Sequence, residues 1–124
     1  MQEIPIPETV ASGLAKAGLG SASRHLFVCI GPECCSLAEG ERLWERIKGR
    51  IRESGVSAMR TKAACFRVCQ GGPWLVVYPE GVWYGGVTPE RFETILQRHL
   101  LQGEVVEEWV AARNPLGPIG ACGR

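Results

Sequence analysis

The sequence predicts one α/β domain in which a mixed four-stranded sheet is flanked by helices. Short apolar runs predict strands, and two amphipathic segments predict helices. Their order is strand, helix, strand, loop, strand, strand, helix, which combines a crossover unit with a terminal hairpin and helix. The chain has 124 residues and is 45% hydrophobic, which suffices for one core.

The first strand and the first helix have clear boundaries. The apolar run 25–30 precedes a Gly-Pro turn and predicts a buried strand. Ser36 followed three residues later by Glu39 predicts a capping box, and Gly55 predicts the helix end. One face of this helix is apolar, with residues spaced at i, i+4 and i+8: Leu43, Ile47 and Ile51.

The second half of the sequence predicts the rest of the sheet and a second helix. Residues 56–62 predict a strand, the apolar run 74–78 predicts a central strand, and 82–84 predicts its hairpin partner. Thr88 caps a helix that ends at Gly103. This order of elements is the thioredoxin pattern.

Both ends of the chain are expected to lie outside this domain. Residues 1–23 are an N-terminal extension with weak apolar periodicity, enough for one short helix. Residues 24–110 form the domain. Residues 111–124 form a tail, because proline and glycine recur too densely from Asn114 onward for a regular element.

Charge and hydropathy exclude several classes of protein. The formal net charge is +1, whereas nucleic-acid binders usually carry a basic excess. The longest apolar runs are far shorter than the roughly 20 residues that span a bilayer. The start of the chain lacks the features of a secretory signal. We therefore expect a cytoplasmic protein with reduced thiols that binds neither nucleic acid nor membrane.

Six cysteines are the main candidates for chemistry: Cys29, Cys34, Cys35, Cys65, Cys69 and Cys122. Cys29 and Cys34 follow the first strand, whereas Cys65 and Cys69 precede the third strand. In a crossover fold these two loops can meet at one edge of the domain. Four thiolates from two loops suit a [2Fe–2S] cluster, in which each iron takes two protein thiolates.

Spacing alone leaves alternatives open. Zinc also accepts cysteine pairs at similar spacing, and disulfides or thiols with no common role are further interpretations of the same cysteines. A thioredoxin-type redox pair is disfavoured because the sequence lacks a Cys-x-x-Cys motif. Glycines near the cysteines are expected to let backbone approach a cluster without a Cβ clash: Gly31, Gly71 and Gly72.

The motifs resemble the thioredoxin-like [2Fe–2S] ferredoxins. The matching segments are His-Leu-Phe-Val-Cys at 25–29, Cys34, Cys65-x₃-Cys69, Gly-Pro at 72–73, Val-Val-Tyr-Pro-Glu-Gly-Val-Trp-Tyr at 76–84 and the region 99–106. The resemblance covers roughly residues 24–110. It implies a [2Fe–2S] cluster, one-electron transfer between oxidoreductases without enzymatic activity, and a homodimer. The alternatives are an electron-relay subunit of a larger redox complex and a zinc-binding interaction module.

Carried over residue by residue, the resemblance implies that Cys29, Cys65 and Cys69 are ligands, and that the fourth is Cys34 or Cys35. Adjacent side chains in an extended loop point in opposite directions, so only one of these two should ligate. The four-residue spacing from Cys29 favours Cys34.

This choice predicts different spectra for two serine variants. Cys34→Ser should bleach or red-shift the visible absorbance of the cluster, whereas Cys35→Ser should leave the absorbance nearly unchanged. Ultraviolet–visible spectra of the two purified variants measure this. The reverse pair of spectra would assign the ligand to Cys35.

Overall fold

The computed structural model describes residues 5–116, and Cys122 lies outside them. The elements follow in chain order: helix α1 (Glu8–Lys16), strand β1 (Arg24–Cys29), helix α2 (Leu37–Ser54), strands β2 (Ala58–Ala63), β3 (Trp74–Tyr78) and β4 (Val82–Tyr84), helix α3 (Pro89–Ile95) continued by a π-helical segment (Leu96–Leu101), a 3-10 turn (Glu107–Trp109) and strand β5 (Val110–Arg113).

The sheet is mixed and has five strands in the order β2-β1-β3-β4-β5. Strand β1 runs parallel to β2 and antiparallel to β3, and the remaining pairs are antiparallel. The predicted α/β architecture is confirmed, but the prediction of four strands is wrong. The fifth strand, Val110–Arg113, extends past residue 110, where the domain was predicted to end. The sequence pattern did not indicate this strand, because its exposed alanines show no alternation of apolar and polar residues.

The predicted helix signals are confirmed. The Ser36 hydroxyl accepts from the Glu39 N–H, the Glu39 carboxylate accepts from the Ser36 N–H, and Gly55 ends α2 with a φ of 71°. The Thr88 hydroxyl accepts from the Arg91 N–H, with a proline in the first turn. The helix after Thr88 changes to π-helical geometry at Leu96, which the apolar spacing did not indicate.

One face of the sheet carries the core. The inward residues of the three central strands are fully buried and belong to one cluster with the apolar faces of α2 and α3. Both helices pack against this face and contact each other. The cluster includes Leu26, Val28, Leu43, Ile47, Leu75, Val77, Val82, Tyr84, Phe92 and Ile95.

The opposite face, here called the open face, is rich in aromatic residues and is covered by neither α2 nor α3. Strand registers align its residues in three rows: Met59, His25 and Tyr78; then Thr61, Phe27, Val76, Trp83 and Ala112; then Ala63, Cys29 and Trp74. None of them is Asp, Glu, Lys or Arg. Cys29 belongs to this face because it alternates with Val28, which lies in the core.

A buried polar network joins the far end of the sheet to the C-terminal segment. The His99 ring is fully buried, with Nδ1 2.9 Å from the Tyr84 hydroxyl and Nε2 3.3 Å from Glu80 Oε2. The Arg24 guanidinium donates to the same Glu80 oxygen at 2.9 Å. The Tyr84 hydroxyl also accepts from the Val106 N–H at 3.0 Å, so the network fixes the segment that leads into β5.

No helix in residues 5–116 combines the length and the apolar character that crossing a bilayer requires.

The buried network predicts how folding stability depends on pH. Burial lowers the pKa of His99 below its ordinary value, so the unfolded state binds more protons as pH falls through about 6.5. Stability should therefore decrease as the solution is acidified from pH 7.5 to 5.5, by at most about 1.4 kcal/mol per pH unit from this group. Urea unfolding followed by tryptophan fluorescence measures the slope.

The matched variant is His99→Gln, which does not titrate in this range. It should show a flatter dependence of unfolding free energy on pH than the parent protein. Parallel slopes for the two proteins would contradict the role assigned to His99. Glu80 adds no change in this window. Burial on its own would raise the pKa of Glu80, but the Arg24 hydrogen bond, a backbone hydrogen bond and the nearby charges of Arg24 and His99 together outweigh burial and lower it, which moves its titration to lower pH.

Candidate functional site

The five described cysteines lie at one end of the sheet, and four of them are on two loops. The first loop joins β1 to α2 and holds Cys34 and Cys35, while Cys29 ends the strand itself. The second loop joins β2 to β3 and holds Cys65 and Cys69. All five are free thiols. Cys29 and Cys34 are buried, Cys35 is half-buried, and Cys65 and Cys69 are exposed.

The first pair of predicted ligands is brought together. The Sγ atoms of Cys29 and Cys34 lie 3.0 Å apart. The Cys35 Sγ lies further out, 4.0 Å from the Cys34 Sγ. Both N–H groups of residues 34 and 35 donate to the Gly31 carbonyl at 3.3 Å, so a tight turn sets this arrangement. The geometry places Cys34, rather than Cys35, beside Cys29.

The second pair lies on a loop that is anchored at several points. The Arg67 N–H donates to the Cys65 Sγ at 3.1 Å, with Arg67 in the left-handed region at a φ of 69°. Phe66 packs edge-on against Trp83 with ring centroids 5.6 Å apart. Trp74 donates from its indole nitrogen to the Gln70 carbonyl at 2.9 Å. These contacts hold the loop against the open face.

The two loops touch each other through glycine. A Cβ atom at Gly31 would lie 1.6 Å from the Ala64 carbonyl oxygen, and one at Gly72 would lie 2.6 Å from the Cys34 carbonyl oxygen. The Gly72 N–H donates to that same Cys34 oxygen at 3.0 Å. Both glycines therefore permit a close approach, as predicted, but the group that approaches each of them is the backbone of the other loop. Gly71 instead approaches the Trp74 ring.

The protein environment keeps several of these thiols protonated. Burial, reinforced by the hydrogen bond with Cys29, raises the pKa of Cys34 to about 12. Burial also raises the pKa of Cys35, and a partial loss of solvation together with the neighbouring Cys65 raises the pKa of the exposed Cys69. A metal that binds these sulfurs must displace protons, so its affinity increases with pH.

The described donors form two pairs of thiols and not one closed set of ligands around a single point. Within the described part of the chain, no three side chains of Cys, His, Asp or Glu surround one point in the way a single metal ion requires. Two pairs of thiols on touching loops correspond to the requirement of a [2Fe–2S] cluster, two thiolates for each iron. Soft sulfur ligands suit iron in such clusters.

The two histidines and the aromatic residues of strand β4 make structural contacts. His25 is a hydrogen-bonding residue, with Nε2 2.8 Å from the Thr61 hydroxyl. His99 lies in the core, and Tyr84 and Trp83 lie on opposite faces of the sheet. No sequence pattern indicated that Tyr84, His99, Glu80 and Arg24 form one network, because these residues are separated along the chain.

The fold and the two thiol-bearing loops define a thioredoxin-like domain with a cysteine-rich site. No protein-family model matches the chain. It is 37% identical over 94 residues to a 2Fe-2S ferredoxin of Clostridium pasteurianum, covering 67% of this chain and 90% of that protein. It is 31% identical over 101 residues to a 2Fe-2S ferredoxin of Aquifex aeolicus, covering 73% and 91%.

A solved structure shows the same relationship. The thioredoxin-like [2Fe–2S] ferredoxin from Aquifex aeolicus matches with a TM-score of 0.67 at 31% identity, covering 80% of this chain and 97% of that one. This chain belongs to the family of thioredoxin-like [2Fe–2S] ferredoxins. The family and fold predicted from the motifs are confirmed.

The glycine contacts predict a strong response to a single methyl group. Gly31→Ala should lower the free energy of unfolding by about 2–4 kcal/mol, because the Ala64 carbonyl must move and separate the loops. Gly49→Ala in α2 is the control, because a methyl group there meets no atom within 4 Å. The control should gain about 0.5–1 kcal/mol. Denaturant unfolding measures both, and equal stabilities would refute the contact.

Proposed function

We propose that this protein is a ferredoxin that carries single electrons between oxidoreductases and does not itself catalyse a reaction. Its cofactor is a [2Fe–2S] cluster, as the family membership supports. The observation that carries the proposal is the direct contact between the two cysteine-bearing loops, through Gly31 on Ala64 and Gly72 on Cys34. When bound, the cluster supplies a reversible one-electron change of oxidation state.

Four thiolates are proposed as ligands: Cys29, Cys34, Cys65 and Cys69. Cys29 and Cys34 form one pair, as their 3.0 Å sulfur separation supports. Cys65 and Cys69 form the other. The Arg67 N–H directed at the Cys65 sulfur stabilises negative charge there, and such hydrogen bonds raise the reduction potential.

The two pairs differ in their exposure to solvent. Cys29 is fully buried and Cys34 is 7% exposed, whereas Cys65 and Cys69 lie at the surface. The first pair therefore shields one side of the site from water. The second pair offers the shortest path from the site to a docked oxidoreductase, so electrons are exchanged on the side of the Cys65–Cys69 loop.

The proposed compartment is the cytoplasm. The function requires reduced thiols, and the five described cysteines are free. A reducing compartment preserves that state before the cluster is inserted.

The open face supports a homodimer. Its middle row crosses all five strands, with the half-buried rings of Phe27 and Trp83 on either side of Val76, which is only 2% exposed, and small residues at both edges. Interfaces between permanent partners are apolar at their centres, rich in aromatic residues and depleted in charge. A two-fold axis can place the same uncharged surface on itself without bringing like charges together.

Composition and spectra test the proposed cofactor and its redox role. The anaerobically isolated protein should be red-brown and contain about two iron and two acid-labile sulfide per chain. One-electron reduction should give the electron paramagnetic resonance signal of a reduced [2Fe–2S] cluster. A colourless protein with stoichiometric zinc would establish the zinc-binding alternative instead.

A charge placed on the open face tests the homodimer. Ala112→Lys adds a cation at an exposed position of the middle row, so folding should survive while the dimer dissociation constant rises at least about tenfold, equivalent to about 1.4 kcal/mol. Leu101→Lys is the control, because Leu101 is 45% exposed on the π-helical segment, away from this face. Analytical ultracentrifugation measures both. A monomeric parent protein, or equal weakening by both variants, would remove the proposal.

A further inference from the structure

The sulfur atoms of Cys29 and Cys34 are close enough to react with each other. Their separation of 3.0 Å exceeds a disulfide bond length of about 2.05 Å by about one ångström. The turn that holds them is fixed at both ends, by the Gly31 carbonyl and by the Gly72 N–H on the Cys34 carbonyl. The backbone therefore holds the two sulfurs within reach of each other.

We propose that Cys29 and Cys34 form an oxidisable pair that closes to a disulfide with low-molecular-weight disulfides, such as oxidised glutathione, when the pair is not bound to iron. The closed disulfide blocks cluster insertion, and a dithiol reductant reverses it. This inference rests on the proposed function, since it assigns the same two sulfurs a second chemical state.

The reaction proceeds by two thiol–disulfide exchanges. Cys34, which is 7% exposed and the more accessible of the pair, loses its thiol proton to solvent and attacks one sulfur of oxidised glutathione; a mixed disulfide forms, and the glutathione thiolate that leaves takes up a proton. The Cys29 thiolate then attacks the Cys34 sulfur, a second glutathione leaves, and the Cys29–Cys34 bond forms. The protein loses two protons and two electrons, and one glutathione disulfide is reduced to two thiols.

Cys35 is a poor competitor for this bond. Adjacent Cα atoms are about 3.8 Å apart across a trans peptide, which is below the usual disulfide range of about 4.4–6.8 Å. The Cys35 sulfur also lies further from the Cys34 sulfur than Cys29 does, at 4.0 Å. The pair with the better geometry is therefore Cys29 and Cys34.

Thiol mapping tests the proposal on the full-length protein. The isolated protein is treated with an iron chelator, with or without oxidised glutathione; free thiols are then alkylated and the digest is analysed by mass spectrometry. The expected product in the oxidised sample is a Cys29–Cys34 disulfide, with Cys35 alkylated. Predominant Cys34–Cys35 or Cys65–Cys69 disulfides, or complete alkylation, would overturn the proposal.

Two variants separate the roles of the neighbouring thiols. Cys35→Ser should form the same disulfide at a rate within about twofold of the parent. Cys29→Ser should stop at the mixed disulfide and retain glutathione on Cys34. A Cys35→Ser protein that no longer forms the bond would refute the assignment.

Cluster insertion provides the second readout. Oxidised parent protein should take up at least about tenfold less iron and sulfide than reduced protein, and dithiothreitol should restore the uptake. Equal uptake by the two samples would refute the blocking role. The iron and sulfide content of the untreated protein decides the proposed function separately: a protein with full iron content but no Cys29–Cys34 disulfide loses only this inference.

Discussion

The site depends on one physical constraint, the backbone contact between the two cysteine-bearing loops. Gly31 lies so close to the Ala64 carbonyl that no side chain fits between them, and Gly72 lies less tightly, but still too closely for a Cβ atom, on the carbonyl of Cys34. The Gly72 N–H satisfies that carbonyl, so the approach costs no unpaired buried acceptor. Without this contact nothing on the backbone would hold the two cysteine-bearing loops against each other.

The sheet explains why the contact forms at this end. Strands β1 and β2 are parallel neighbours, so the chain leaves both at the same edge, and Ile30 continues the pairing with an N–H bond to the Ala63 carbonyl. The loop after β1 therefore starts beside the loop after β2. The buried network of Arg24, Glu80, His99 and Tyr84 lies at the opposite end of β1 and stabilises the fold without approaching the thiols.

The sequence predicted correctly those helix ends that depend on only a few neighbouring residues. The capping box at Ser36 and the left-handed Gly55 were readable because both ends of α2 are specified within a few residues. Strand β5 was not readable, since Ala111 and Ala112 acquire a strand conformation only by pairing with β4. Spacing favoured Cys34 over Cys35 as the partner of Cys29. The turn around Gly31 places the Cys34 sulfur 3.0 Å from the Cys29 sulfur, a distance that spacing alone cannot give.

The open face links the two cysteine-bearing loops to the rest of the sheet. Alternation along β1 puts Cys29 on the same face as Phe27, while Leu26 and Val28 fill the core. The Cys65–Cys69 loop reaches this face as well, because Phe66 rests against Trp83, which in turn contacts Trp74 with ring centroids 6.3 Å apart. The helix-covered face provides most of the buried apolar area. The Cys29 thiol and the aromatic residues that contact the Cys65–Cys69 loop therefore lie on the face opposite the core. This separation follows from the alternation of side chains between the two faces of a strand.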